Sequence, residues 1–308
     1  MISTIQKGKK QKFFLELIKD FVQDEQINLY DFNQLDAFLA MVGSEFRRGA
    51  LDREDLLAIN SAFSREFLQG TLQGRSLTKP CGYSGDYLLL DYIYTNRTST
   101  NPEHKIWDTY FQKQTAARAI RNRKEYFKEQ LYRKASQMPN LRLLNVVSGS
   151  GRELLELYNT LPVNYPLRTT CIEIDDSAIE YSKNLNKNYL GKINYVHDNI
   201  FRYDNDSERD IIWCAGLLNT LEDRASLLLI KRFKDWLKPG GEIIIGNFNK
   251  DYNPSRDFME IFGEWFLNHR TEKQLLKMGL EAGFTDEQIE VSKTEDGVIL
   301  YLHLRLDQ

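Results

Sequence analysis

Cysteine is scarce in this chain of 308 residues. Only Cys81, Cys171 and Cys214 occur, an odd and scattered set that fits neither a disulfide framework nor a zinc spacing. Histidine is as thin: His104, His197, His269 and His303 are too dispersed to form a ligand set with the cysteines, so no metal is expected. Net charge is nearly absent as well, because 41 basic side chains stand against 44 acidic ones for a formal charge of -3. No overall field exists to hold a polyanion, and nucleic acid is not an expected partner. Long apolar runs are missing too, which excludes a stable membrane insertion. The start, MISTIQKGKKQKFF, lacks the continuous apolar stretch and cleavage site of a signal peptide. With so little cysteine, the expected compartment is the reducing cytoplasm.

What is present is enough apolar material for a core, 42% of residues, arranged in two different periods. From Gln11 to about Asn140 apolar residues recur at helical spacing, as in Phe14, Leu15, Ile18, Phe21 and Val22, then Leu35, Phe38, Leu39 and Val42. Further helical runs are predicted around Glu54 to Leu68 and His104 to Ser136. The second holds the basic stretch RAIRNRKEYFKEQLYRK, which reads as a solvated face. Between them GTLQGRSLTKPCGYSGDY, rich in glycine, reads as a loop of functional length.

After Pro139 the period changes. LRLLNVV, RELLELYNTL, TTCIEI, SAIEYSKNL, INYV, DIIWCA, RASLLLIKRFKDWL and EIIIGNF alternate short apolar runs with amphipathic helices, the pattern of a parallel sheet covered on both faces. IEVSK and VILYLHLRL are separated only by the turn TEDG, so they must pair antiparallel. The expected fold is α/β, a Rossmann-like sheet of the methyltransferase variety with a terminal antiparallel hairpin. An all-helical domain, residues 1–138, is expected before a cofactor-binding domain, residues 139–308.

The first strand runs into Ser148, Gly149, Ser150 and Gly151, with a helix starting near Arg152. Such a turn lets backbone approach a ligand at a helix N-terminus. A dinucleotide site wants a third glycine where this chain has Leu154. Roughly twenty residues on, TTCIEIDD places Glu173 and Ile174 at a strand end, where a carboxylate accepts from both ribose hydroxyls. Of the acids that follow, Asp176 is the expected cap of the next helix. INYV ends at Asp198, Asn199 and Ile200, suited to an adenine amino group. DIIWCA ends at Ala215 and Gly216, which should border the remainder of the cofactor.

The order NVVSGSGRE, CIEIDDSAI, DIIWCAGLLNTLEDRA, LKPGGEIIIGNF and NPSRDFMEIFGEWFLNHRTE, with the loop KPCGYSGDYLLLDYIY, resembles bacterial class I methyltransferases of extracellular factor, or 3-hydroxypalmitic acid methyl ester, biosynthesis. A weaker resemblance is to carboxyl-capping methyltransferases of modified-peptide pathways, in natural product biosynthesis. Four positions depart from the first family: Asn145 for an acidic residue, Val147 for the first glycine, and Asn219 with Thr220 for a D-Y pair. The resemblance implies S-adenosyl-L-methionine (SAM) as cofactor, S-adenosyl-L-homocysteine (SAH) as product and a fatty-acid or peptide carboxylate as acceptor. Methylation of a small amine, or SAM binding without turnover, are the alternatives. Tyr83 and Arg270 lead the expected acceptor-site residues, followed by Arg256 and His269. Oligomeric state is not legible.

Overall fold

The computed structural model describes residues 2–23, 32–205 and 207–308. Among the described residues eight helices precede the first strand: α1 (Ile2–Gln23), α2 (Phe32–Arg47), α3 (Arg53–Asn60), α4 (Arg65–Gly70), α5 (Leu72–Thr78), α6 (Tyr87–Tyr94), α7 (Pro102–Lys113) and α8 (Thr115–Gln137). The chain then runs through β1 (Leu141–Val146), α9 (Arg152–Thr160), β2 (Leu167–Glu173), α10 (Asp176–Leu185), β3 (Ile193–His197), β4 (Arg209–Ala215) and α11 (Asp223–Asp235). It finishes with β5 (Leu237–Phe248), α12 (Arg256–Phe262), α13 (Glu272–Glu281), β6 (Ile289–Lys293) and β7 (Ile299–Arg305).

The seven strands lie in the order β3-β2-β1-β4-β5-β7-β6. Strands β1 to β5 pair in parallel, and β7 pairs antiparallel with both β5 and β6, as the short TEDG connection requires. The order reverses between β1 and β4, which puts the switch point, and hence the ligand crevice, at the C-terminal ends of those two strands.

Contacts divide the chain into two units, and neither is a continuous segment. One holds Met1–Ala117 with Pro254–Phe266, the other Arg118–Asn253 with Leu267–Gln308. The boundary expected at 138/139 therefore differs from the contact boundary in two places. Most of α8 belongs with the sheet, because Phe127 on its apolar stripe meets Trp213 edge-on at 5.0 Å and Tyr126 stacks on Tyr301 at 3.9 Å. Residues 254–266, which follow β5, belong with the helices, because the aromatic spacing of α12 is a core stripe. Phe262 packs against Phe63 and Phe38, and Phe258 against Tyr110 and Phe111. Asn60 Nδ2 donates to the Ile261 carbonyl at 2.6 Å, and Arg47 pairs with Asp257.

Local signals explain the helix ends that periodicity missed. The run expected from Glu54 to Leu68 breaks because Ser64 caps a new helix through the Phe67 N–H. The run from His104 to Ser136 breaks at Gln114, whose extended backbone ends α7. The first half of the expected 70–87 loop is helix α5, capped by Thr71 accepting from Gly74 N. Asp175, rather than Asp176, caps α10, accepting from Ser177 N at 2.8 Å and Ala178 N at 3.3 Å.

In the sheet unit, α11 and α13 cover one face through Leu229, Ile230, Phe233, Leu275 and Met278, against Ile212, Cys214, Ile243 and Ile245. On the other face α8 is held by a buried charge. Glu242 of β5, 0% exposed, accepts from His303 Nδ1 at 2.8 Å and Arg305 Nε at 2.9 Å, and pairs with Lys134 of α8 at 2.7 Å. Tyr126 OH on α8 meets His303 Nε2 at 2.8 Å, closing the network.

Burial alone would raise the Glu242 pKa, but the His303 and Lys134 hydrogen bonds with the charges of Lys134 and Arg305 outweigh it, holding the group at about 2. A depressed carboxylate contributes stability that is full above its ordinary value and is lost as pH falls from about 4.5 to about 2. That difference is worth about 3 kcal/mol. Glu242→Gln should destabilise the protein by about 3–5 kcal/mol at pH 7 and flatten this acid limb. Denaturation midpoints of the two proteins measured from pH 7 to pH 3 check both; an unchanged acid limb in the variant would contradict the assignment.

Candidate active site

Gly149 and Gly151 take φ of 51° and 65°, so the chain folds tightly between β1 and α9, and a Cβ at Gly151 would collide with Ser182 Oγ. The turn is closed by Gly151 N donating to Ser148 O at 3.1 Å. Ser148 and Ser150 are buried beneath it. Beside it, Asn145 Nδ2 points to Glu153 Oε1 at 3.4 Å, so the carboxylate missing from β1 is supplied by the first turn of α9.

Glu173, buried at the tip of β2, is engaged by backbone before any ligand arrives. Its Oε2 accepts from Gly149 N at 2.9 Å, and its Oε1 from Ile174 N at 2.9 Å and Asp175 N at 3.2 Å. A carboxylate offers about four lone-pair sites, so three backbone donors leave room for one more. The expectation that Glu173 takes both ribose hydroxyls is thereby narrowed to one. Burial pushes its carboxyl above the usual range, although the N–H groups of Gly149, Asp175 and Ile174 pull the other way.

A cavity of about 160 Å³ opens next to Glu173, lined by Val147, Ile172, Ile174, Asp198, Asn199, Ile200, Phe201 and Leu217. Ile174 is largely exposed at its rim. Asp198 Oδ1 accepts from Asn199 N at 2.7 Å, and Asn199 Oδ1 from Phe201 N at 2.9 Å, which fixes the β3 tip. Apolar walls with carboxylates at two sides are the chemistry of a nucleoside pocket: faces for a purine, acceptors for its amino group and a sugar hydroxyl. Ala215 and Gly216 lie at the tip of β4, where Arg123 Nη1 donates to the Ala215 carbonyl at 3.0 Å. Arg123 is 7% exposed and was read in the sequence as part of a solvated face. Its spacing from Phe127 and Leu131 puts it on the apolar stripe of α8, and that is the signal that finds it.

Residues 143–241 match the family model of a methyltransferase domain. With its seven strands in the order β3-β2-β1-β4-β5-β7-β6, the sheet has the Rossmann-like fold of class I methyltransferases. Comparison with curated proteins finds no match. Among solved structures, a possible exported protein from Bordetella parapertussis is 19% identical, with a TM-score of 0.64 over 79% of this chain and 86% of that one. A candidate O-methyltransferase from Nostoc punctiforme is 15% identical, with a TM-score of 0.50 over 78% of this chain and 70% of that one. At these identities the likeness is one of fold. The cofactor of a class I methyltransferase domain is SAM. Among the described residues no group of histidine, cysteine and carboxylate side chains could hold a metal ion, and no helix is long and apolar enough to cross a membrane.

The expected acceptor residues are divided between the two units: Tyr83 and Arg256 belong to one, His269 and Arg270 to the other. Arg270 is 2% exposed and all five of its N–H donors are directed inward. Nε meets Asp223 Oδ1 at 3.0 Å; Nη1 meets Leu218 O at 2.6 Å and Asn247 Oδ1 at 2.9 Å; Nη2 meets Leu221 O at 2.6 Å and Ser226 Oγ at 3.2 Å. A guanidinium so engaged has no donor left for a substrate carboxylate. The expectation for Arg270 is corrected: it is a positioning residue that ties the β4 tip to β5 and α11. Arg256 Nε bonds Glu260 Oε1 at 2.7 Å in an i,i+4 pair. His269 Nδ1 lies 3.0 Å from the Leu267 carbonyl, which can only accept, and Nε2 lies 3.1 Å from Asn253 Nδ2. Tyr83 is exposed in the helical unit, in a loop tied down by Asp86 accepting from Arg75 Nε and Nη2 at 3.0 and 2.9 Å. In that loop Gly85 packs so tightly on the Trp265 ring that a Cβ would collide with it.

Arg270→Lys should cost about 3 kcal/mol of stability, because one ammonium cannot replace the fork and strands buried carbonyls. Denaturant unfolding reads it; an unchanged midpoint with a raised acceptor KM would restore the acceptor role. SAH binding should weaken as pH falls, beginning above the ordinary glutamate value of about 4.3, since ionised Glu173 is the better acceptor. Glu173→Gln should bind roughly tenfold more weakly at pH 7 and lose that dependence in calorimetry from pH 8 to pH 5.

Proposed function

We propose that the protein transfers the methyl group of SAM to a carboxylate oxygen, of a fatty acid or a peptide C-terminus, giving a methyl ester. When bound, SAM supplies the electrophilic methyl. Ser148, Gly149, Ser150 and Gly151 would carry its amino-acid portion along the turn, Glu173 one ribose hydroxyl, and Ile174 with Ile200 the two faces of adenine. Asp198 and Asn199 suit the adenine amino group. Arg123, whose Nη1 donates to the Ala215 carbonyl, would meet the cofactor's carboxylate.

The observation that carries the acceptor class is the state of His269. The ring nitrogen a general base would use is engaged by the Asn253 side-chain amide at 3.1 Å. A carboxylate needs no base, because it is ionised near neutral pH. Methyl transfer to a carboxylate would ask no side chain of this protein to hold or move a proton. The protein's task is therefore orientation and exclusion of water. Tyr83 and Arg256, on the helical unit, stay candidates for recognising the acceptor. The resemblance to the 3-hydroxypalmitic acid methyl ester family, with its carboxylate acceptor, supports the same reading.

Incubation with methyl-labelled SAM and a panel of fatty acids, linear peptides and amines should label a fatty acid or a peptide, and mild base should release the label as methanol. Base-stable label on an amine would replace this reading with N-methylation. SAM bound without turnover on any member would leave a binding domain.

A further inference from the structure

We infer that the helical unit carries a ligand site of its own, a polar cavity that takes a small zwitterion of the amino-acid or dipeptide class, with the ammonium on Asp36 and the carboxylate on Lys113. The cavity has a volume of about 460 Å³, in the range of sites that enclose a small molecule. Its lining residues, among those described, all belong to Met1–Ala117 and Pro254–Phe266, and none of them lines the cavity beside Glu173. The inference therefore stands apart from the readings of SAM and of methyl transfer.

The acidic wall is held in place by buried groups. Tyr110 of α7 is 4% exposed, and its ring stacks on Phe32 at 4.2 Å with an interplanar angle of 8°. Its hydroxyl donates to Asp36 Oδ1 at 2.5 Å and hydrogen-bonds the Gln114 side chain as well. Burial, with the bond to Asp36 and its charge, pushes the phenol above its ordinary value, so it stays a donor. A neutral donor orients the Asp36 carboxylate without neutralising it, and among the described residues no cation pairs with this acid. The other acid of the cavity differs, because Asp257 is already paired with Arg47. Asp36 Oδ2 is thus the acceptor left open.

The opposite charge stands on the same helix. Lys113 follows Tyr110 by three residues on α7, which makes the two side chains neighbours, and both line the cavity. Lys113 is exposed and has no acceptor among the described residues. With one open acid and one open base, a plain cation would face Lys113 and a plain anion would face Asp36, each against its own sign. A molecule that carries both charges meets two charge-assisted bonds instead. The acid is already oriented by Tyr110, so its half of the binding costs little ordering. Phe32, Leu39 and Phe258 supply apolar lining, all three buried in the helical core, which suits a ligand with an apolar side chain.

Thermal shift of the full chain across the standard amino acids and a set of glycyl dipeptides picks the best binder, and calorimetry then compares it with its decarboxylated amine and its deaminated acid. A zwitterion with an apolar side chain should raise the melting temperature, and each single-charge analogue should bind about tenfold more weakly. Asp36→Asn, which keeps an acceptor for Tyr110, and Lys113→Gln should each weaken the zwitterion by about tenfold as well. Lys105→Gln, on the same helix but outside the cavity, should bind as the parent does. Because Lys113 is exposed, Lys113→Gln decides the matter should Asp36→Asn melt far below the parent in the free state. Tighter binding of a dipeptide points to the termini of a short peptide as the ligand, and tighter binding of a free amino acid to that; either supports the site. An amine or an acid analogue that binds as tightly as the zwitterion overturns the inference, as does parent-like binding by Lys113→Gln, or no shift with any member at about 10 mM.

Discussion

The ligand edge of the sheet depends on how the negative charge of Glu173 is satisfied. A carboxylate buried at a strand tip is tolerable only with donors on it, and the donors are the backbone N–H groups of Gly149, Ile174 and Asp175. One side chain thus locks the glycine turn after β1 to the tip of β2. The same bonds that hold the turn also spend most of the acceptor capacity that a sugar would use, so structure and binding compete for one group. Desolvation decides the electrostatic outcome, raising the pKa despite three favourable hydrogen bonds.

On the other side of the switch point the sign is reversed. Arg270 is the buried charge, and the acceptors are the Leu218 and Leu221 carbonyls, Asn247, Ser226 and Asp223. Asn268 N bonds Asn219 O at 2.6 Å, and Asn219 Oδ1 takes Phe248 N at 2.9 Å, so the segment after α12 is stitched to the β4 tip by polar groups. A buried guanidinium and a buried carboxylate therefore flank the crevice, the first held by five hydrogen bonds and the second by three. The turn at Val147, with φ of 54°, sits between two fixed points, which is the condition under which an unfavourable φ survives.

Features set by near neighbours in the chain were legible in the sequence: the glycine turn, Glu173 at a strand end, the final hairpin, the core spacing of Phe258 and Phe262. Features set by distant partners were not. Arg270 reads as a free cation in NHRTE because its acceptors lie 23 to 52 residues away. Arg123 hides in a basic run whose exposed members outnumber it. The domain boundary was misplaced because period alone does not say which core an amphipathic helix joins: α8 carries a helical pattern and packs on strands, while α12 follows a strand and packs on helices.

That last feature bears on synthesis. The helical unit takes its Phe258 and Phe262 from the far side of five strands, and the Arg47–Asp257 and Asn60–Ile261 contacts span 210 and 201 residues. On the ribosome the N-terminal helices emerge first yet lack part of their core until residue 266 has cleared the exit tunnel. The sheet unit, by contrast, can begin pairing β1 with β2 and β4 while translation continues. The usual order, in which the first segment made is the first to fold, is inverted for the completed helical core, and the loop closures that finish it are among the longest the chain contains. A fragment cut before residue 254 would leave those helices without their central aromatic ridge.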